Sequence, residues 1–189
     1  NILEGQPGRY RVAAAAPRIE VPPTIASVLA ARIDLLDGMP KTLLQTAAVV
    51  GSSVSVAVLA EMVGVPAENL AGELDALEQA DFLHREDSDR EVYRFKHELT
   101  REVAYNSMLV GLRRSLHAKA VEIIERRFAD RLNEHADRLA DHAFHAELWD
   151  KALPYQLRAC RRALKRGAYL DAISMYERGL ETIAHWPPS

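Results

Sequence analysis
Apolar residues recur at helical spacing along almost the whole chain, and between Leu83 and Phe95 that spacing gives way to a different one. Leu83 to Glu86 and Glu91 to Phe95 flank the polar triplet Asp87-Ser88-Asp89, and Val92 to Lys96 partly alternates. This is the pattern of a β-hairpin with a polar tip. A lone hairpin among helices predicts a mainly α chain. Four helices followed by the hairpin, within about seventy-five residues, describe a winged helix.

The helices have readable limits. Pro22-Pro23-Thr24 opens the first, with proline tolerated in the first turn, and Ile25, Val28, Leu29, Ile33 and Leu36 form its apolar face. Gly38 and Pro40 break it. Leu43, Leu44, Ala47, Ala48 and Val50 make the second helix, and Val56, Leu59, Ala60 and Val63 the third, closed by Gly64. Pro66 starts a fourth, with Leu70, Leu74 and Leu77 inward. Thr42 to Ala60 is uncharged over 19 residues, about the length of a bilayer span. Gly51-Ser52-Ser53 interrupts it, so two short helices joined by a turn are expected, in a soluble protein.

Beyond Glu98 the pattern is helical throughout. Leu99, Val103 and Ala104 begin one helix, broken near Gly111, and Leu116, Ala120, Ile123, Ile124 and Phe128 continue in the next. Three further stretches cover about residues 134–146, 150–166 and 169–184. The last two carry small residues at fixed steps: Ala152 and Ala159, then Ala172 and Gly179. Tyr169-x-x-Ala172 and Tyr176-x-x-Gly179-Leu180 resemble the second helix of a tetratricopeptide repeat, where small residues let paired helices approach. The expected division is a tail of an upstream region over 1–21, a winged helix over 22–97, connecting helices over 98–132 and repeats over 133–189. Gly5, Pro7, Gly8 and Pro17 surround a strand-like piece at Arg9 to Val12, and the absence of a leader after Asn1 suggests a piece of a longer polypeptide.

Charge and composition narrow the function. The chain of 189 residues has 24 basic and 27 acidic side chains, so no overall charge draws it to nucleic acid or anionic membranes. The balance is −5 over residues 1–97 and +2 over 98–189. The candidate recognition helix, Pro66 to Phe82, carries Glu68, Glu73, Asp75, Glu78 and Asp81 and no lysine or arginine. That face would repel phosphates, which points to protein contact rather than DNA. The single cysteine, Cys160, allows no internal disulfide and suits a reducing, cytoplasmic setting.

Catalytic signatures are missing: there is no Gly-x-x-x-x-Gly-Lys-Ser/Thr loop and no Gly-x-Ser-x-Gly elbow. Cys160 lies among Arg158, Arg161 and Arg162, an arrangement that lowers a thiol pKa, but its helical setting makes it a small packing residue. His135, His142 and His145 share one helix stripe without a His-Glu-x-x-His pattern, so a packed stripe is expected and no metal. Arg158, Arg161, Arg162, Lys165 and Arg166 form a basic stripe, either a solvated helix end or a dock for an acidic partner. Lys96 and His97 stand where the second hairpin strand becomes a helix, beside amides that favour an anion such as phosphate.

Several stretches together resemble the winged-helix region and first repeats of bacterial STAND-type signalling ATPases. They are Val21-Pro22-Pro23-Thr24-Ile25, Val28 to Leu36, Leu43 to Gly51, Arg113-Arg114-Ser115-Leu116-His117, Trp149 to Leu153, Tyr169 to Ile173, and above all Phe95-Lys96-His97-Glu98-Leu99-Thr100-Arg101-Glu102-Val103-Ala104-Tyr105. The resemblance implies a parent protein with a class III adenylate or guanylate cyclase domain, an ATPase and tetratricopeptide repeats. A parent ending in a LuxR-type DNA-binding domain is the alternative, and a free-standing helical adaptor is another. It implies ATP or ADP with magnesium in the parent, and no cofactor in this segment. The implied partners are an upstream nucleotide-binding domain of the same chain and a protein held by the repeats, with no nucleic acid or membrane. A winged-helix histidine in a Met-His-Asp-like motif contacts ADP in related switches, which makes His97 the candidate nucleotide sensor; Lys96, which separates Phe95 from that histidine, is a candidate phosphate contact from its place at the helix start alone. Glu98 stands in place of that motif's aspartate.

Overall fold
The computed structural model describes residues 3–6, 9–12 and 23–186. The expectations at Pro7, Gly8, Pro17, Val21 and Pro22, and the last three residues of the expected repeats, lie outside these. The chain is mainly α-helical with a small antiparallel sheet. Strands β1 (Leu3–Gln6) and β2 (Arg9–Val12) pair antiparallel, Leu3 opposite Val12. Helices α1 (Pro23–Asp34) and α2 (Gly38–Val50) follow, then β3 (Ser53–Ser55), α3 (Val56–Val63), a short 3-10 turn at Ala67–Leu70 and α4 (Ala71–Gln79). Strands β4 (Leu83–Arg85) and β5 (Val92–Phe95) form the hairpin. Helices α5 (Glu98–Asn106), α6 (Val110–Arg127), α7 (Ala136–His145), α8 (Trp149–Lys165) and α9 (Tyr169–Ala184) complete the chain.

The second sheet has the order β3-β5-β4, so the hairpin's last strand lies between its partner and the strand that precedes α3. A strand, Ser53 to Ser55, thus follows where the turn at Gly51-Ser52-Ser53 was expected to lead straight into the next helix. Val54 is buried opposite Tyr93, also buried. Ser55 ends the strand and caps α3, its Oγ accepting from the Val58 amide at 3.3 Å. Gly64 closes α3 at φ 75°, a left-handed conformation that costs glycine little.

Two cores form. The first gathers Ile33 of α1, Leu43, Leu44 and Ala47 of α2, Leu59 of α3, Leu74 and Leu77 of α4, Tyr93 and Phe95 of β5 and Ala104 of α5. The second gathers Val121 and Ile124 of α6, Leu139 and Ala143 of α7 and Ala152 and Tyr155 of α8. Between them, Met62 of α3 meets Ala120 and Ile123 of α6, with Val50 and Val58 packed alongside. Helix α6 is therefore buried on two sides. Cys160, Ala163 and Ala172 make a small further cluster where α8 and α9 meet.

Polar pairs flank α6 in the same way. Glu61 of α3 accepts from Arg126 and, at 2.7 Å, from Arg127. Glu125 accepts from Lys151 and from the Tyr155 hydroxyl of α8, both at 2.7 Å. Among the described residues no helix is long and apolar enough to cross a membrane.

Ile123 is 3% exposed at the contact between the cores. Ile123→Ala is expected to cost about 2–4 kcal/mol in urea unfolding, whereas Val28→Ala, at a side chain 60% exposed, should cost under about 0.5 kcal/mol.

Candidate functional site
The first candidate place is the start of α5. Phe95 is locked in the core, which fixes the strand end. Lys96 and His97 follow it into solvent. His97 is the α5 N-cap residue, extended at φ −140° and ψ 140°, and its side chain makes no capping bond. Among the described residues its ring has no hydrogen-bond partner.

Lys96 pairs with Asp81, and this hydrogen bond, backed by the charges of Lys96, Arg32 and His97, holds the Asp81 carboxyl below the usual range. Arg32 of α1 donates to the Ala80 carbonyl, and its guanidinium lies 4.8 Å above the Phe82 ring. His97 and Leu99 line an open cleft of about 640 Å³ with Thr24, Ile25, Val28, Leu29 and Arg32. The apolar face expected on α1 is therefore only partly covered. Ile33 is fully buried, while Ile25 and Val28 are exposed beside His97.

The second place is a histidine cluster between the cores. His117 of α6 is 3% exposed and His142 of α7 4%. Their Nδ1 atoms lie 2.9 Å apart, and His117 Nε2 is 2.9 Å from the Tyr105 hydroxyl of α5. His145 stacks on His117 with ring centroids 4.8 Å apart and donates from Nδ1 to the Asp141 carbonyl oxygen at 2.9 Å. Asp141 accepts from Arg178 of α9 at 2.8 Å. Burial pushes the Asp141 carboxyl up, but His145 and Arg178 outweigh this and pull it below its ordinary value.

Of the three histidines expected on one stripe, His142 and His145 meet here. His135 instead stacks on Phe128, with centroids 3.8 Å apart. His117 and Tyr105 were not singled out by sequence reasoning, because spacing along one helix does not reveal a neighbour 25 residues away.

Two facing Nδ1 atoms can share only one proton, so at least one ring must accept. Burial, reinforced by His142 and His145, lowers His117 to about 3. Burial lowers His142 to about 4, Asp141 opposing the shift and Arg138 and His145 adding to it. Both rings are neutral at pH 7 and join α5, α6 and α7 through hydrogen bonds.

The remaining expected residues separate by place. Ala152, Ala159, Ala172 and Gly179 are buried where α8 packs between α7 and α9. Tyr169 and Tyr176 are 67% and 60% exposed, on the outer face of α9. Arg158, Arg161, Lys165 and Arg166 are exposed. Arg162 is engaged within the chain, donating to Asp137 and to the carbonyls of Asn133 and Glu134. Cys160 is buried, its Sγ 3.6 Å from the Ala172 carbonyl oxygen.

Because His117 and His142 bind protons more weakly folded than unfolded, the cluster's contribution is intact above pH 6.5 and is lost as pH falls toward 3–4. Urea midpoints are expected to fall through that window, and less steeply in His142→Phe. Tyr105→Phe removes a partner of buried His117 and should cost about 1–3 kcal/mol at pH 7.

No family model matches the chain. No solved structure matches it. An uncharacterized protein of Rhizobium meliloti (strain 1021) is 28% identical over 157 residues, a match that covers 82% of this chain. The matched region is 15% of that relative's own length.

Proposed function
We propose that this chain is a non-catalytic regulatory segment of a multidomain signalling ATPase: a winged-helix lever followed by the first protein-interaction repeats. The parent on this reading is a class III adenylate or guanylate cyclase. The observation that carries the lever is the two-sided burial of α6, with Met62 against Ala120 and Ile123 and the second core against Val121 and Ile124. A displacement of the first core must then move α7 to α9 with it, because close-packed interfaces do not yield continuously.

The element order α2-β3-α3-α4-β4-β5 and the sheet order β3-β5-β4 support the winged-helix assignment. Small buried residues along antiparallel α7, α8 and α9 support the repeat assignment. Asp75 and Glu78 of α4 face Arg85 of β4, and with Glu68 and Glu73 beside them this surface suits a protein rather than a phosphate backbone.

The uncapped ring of His97 beside Arg32, above the half-open apolar face of α1, fits a polyanion presented by an upstream nucleotide-binding domain. His97 would contact the phosphates of ADP held there, while Ile25 and Val28 pack against that domain. Lys96 is shared with Asp81 and would contribute less. Magnesium and the hydrolytic chemistry would belong to the upstream domain. Nucleotide preference for one arrangement then sets the position of the lever.

In the natural polypeptide that carries this segment, His97→Ala is expected to speed ADP release about tenfold, the loss of one charge-assisted hydrogen bond. An unchanged off-rate removes His97 from the mechanism. Incubation of the same polypeptide with ATP and GTP should yield a cyclic nucleotide; ADP or GDP alone would keep the ATPase and reject the cyclase parent.

A further inference from the structure
The contact between the two cores is not filled to its edge. A cleft of about 230 Å³ opens beside it, between β3 and α3 on one side and α6 and α7 on the other. Val54, Val58 and Met62 form one apolar wall, and Ile123, Ile124 and Phe128 the other. Every residue that lines it lies between Val50 and His142, so packed elements in the middle of the chain supply both walls.

The polar groups at this cleft have hydrogens to give and no acceptor to receive them. His142 is 4% exposed, and its Nδ1 is taken by His117. The direction of that bond follows from Tyr105. Its hydroxyl has no acceptor among the described residues except His117 Nε2, so it donates there. His117 then carries its one proton on Nδ1 and donates it to His142 Nδ1. The proton of neutral His142 is left on Nε2, and that N–H has no partner among the described residues. A buried donor without an acceptor is costly, and an acceptor in the cleft removes the cost. One turn earlier on α7, Arg138 lines the same cleft and joins no hydrogen bond or ion pair among the described residues. Across from it, Ser55 Oγ accepts from the Val58 amide, and its own hydrogen donates to nothing among the described residues.

Charge and size narrow the ligand. No acidic side chain lines the cleft. Arg127 reaches it too, but Glu61 already accepts from Arg127 at 2.7 Å. Arg138 is therefore the cation without a counter-charge. One such guanidinium matches a monoanion, and its planar fork matches a carboxylate held by two parallel N–H bonds. At about 30 Å³ for each water-sized group, the cleft holds about seven or eight non-hydrogen atoms.

We infer that this cleft is a binding site for a small monocarboxylate with an apolar body. Arg138, His142 Nε2 and the Ser55 hydroxyl hold the carboxylate, and Val58, Met62 and Ile123 enclose the hydrocarbon. Such a ligand touches α3 and β3 beside the first core and α6 and α7 beside the second. Its binding free energy then adds to the cohesion of the two cores. The site goes beyond the lever reading and does not depend on any nucleotide.

Titration of the chain with sodium hexanoate at pH 7, followed by methionine methyl resonances, tests it. The four methionines lie in four different places, and Met62 alone lines this cleft. Hexanoate is expected to shift Met62, leave Met39, Met108 and Met175, and give a Kd of about 0.1–1 mM. 1-Hexanol, the same tail without the charge, should bind at least about tenfold more weakly. Arg138→Gln, at an exposed side chain, should keep the helical circular dichroism and lose at least about tenfold in affinity. No shift of Met62 up to about 10 mM, well beyond that affinity range, overturns the inference. A shift at Met175 alone overturns it too, because Met175 lines a separate apolar cleft between α8 and α9. So does hexanol binding as tightly as hexanoate, or an affinity indifferent to Arg138→Gln. Inorganic phosphate binding more tightly than hexanoate rejects the monocarboxylate.

Discussion
Helix α6 holds the molecule together because adjoining flanks of its second half are buried against different cores, while Glu122 faces solvent. Ala120 and Ile123 face Met62, Val121 and Ile124 face the second core, Arg126 and Arg127 reach Glu61, and Glu125 reaches Lys151 and Tyr155. At about 100° per residue, Ile123, Ala120, Ile124 and Val121 make one broad apolar face, wide enough to meet both cores, with Glu122 on the opposite side. The helix cannot shift relative to one core without opening a cavity or breaking a buried contact with the other. The histidine cluster at its first half adds a directional link, since Tyr105, His117 and His142 come from three successive helices.

That constraint explains why the two ends of the chain differ in character. At the hairpin end, charges are largely spent within the fold: Arg85 on Asp75 and Glu78, Arg94 on Glu86, Lys96 on Asp81. On α9, Tyr169, Ile173, Tyr176, Leu180 and Ile183 are exposed among the described residues. His97 stands apart from both, on a fully packed strand end yet with a ring that has no hydrogen-bond partner among the described residues.

Much of the architecture was legible because helical spacing survives in sequence wherever a helix has one apolar side. The hairpin was legible from Asp87-Ser88-Asp89 and the alternation after it. Strand β3 was not, since Ser53-Val54-Ser55 is three residues inside an uncharged run and carries no period of its own. The α1 face shows a different limit. Spacing marks Ile25, Val28 and Ile33 as one side but does not say that only Ile33 finds a partner in the fold. The basic stripe on α8 likewise read as one unit, although Arg162 turns to the carbonyls of Asn133 and Glu134 while Arg161 joins no ion pair among the described residues. The His117–His142 pair was invisible for the same reason, because tertiary neighbours leave no spacing signal.

The shared helix makes one demand that can be checked directly. Both tryptophans, Trp149 and Trp186, lie in the second half of the chain, whereas far-ultraviolet circular dichroism reports helices in both halves. Urea unfolding should be followed at pH 7 by tryptophan fluorescence and by ellipticity on the same samples. If α6 couples the cores, the two curves coincide in midpoint and slope, as one cooperative unit requires. A fluorescence transition separated from a second, ellipticity-only transition would show two independent bodies, and would contradict the lever.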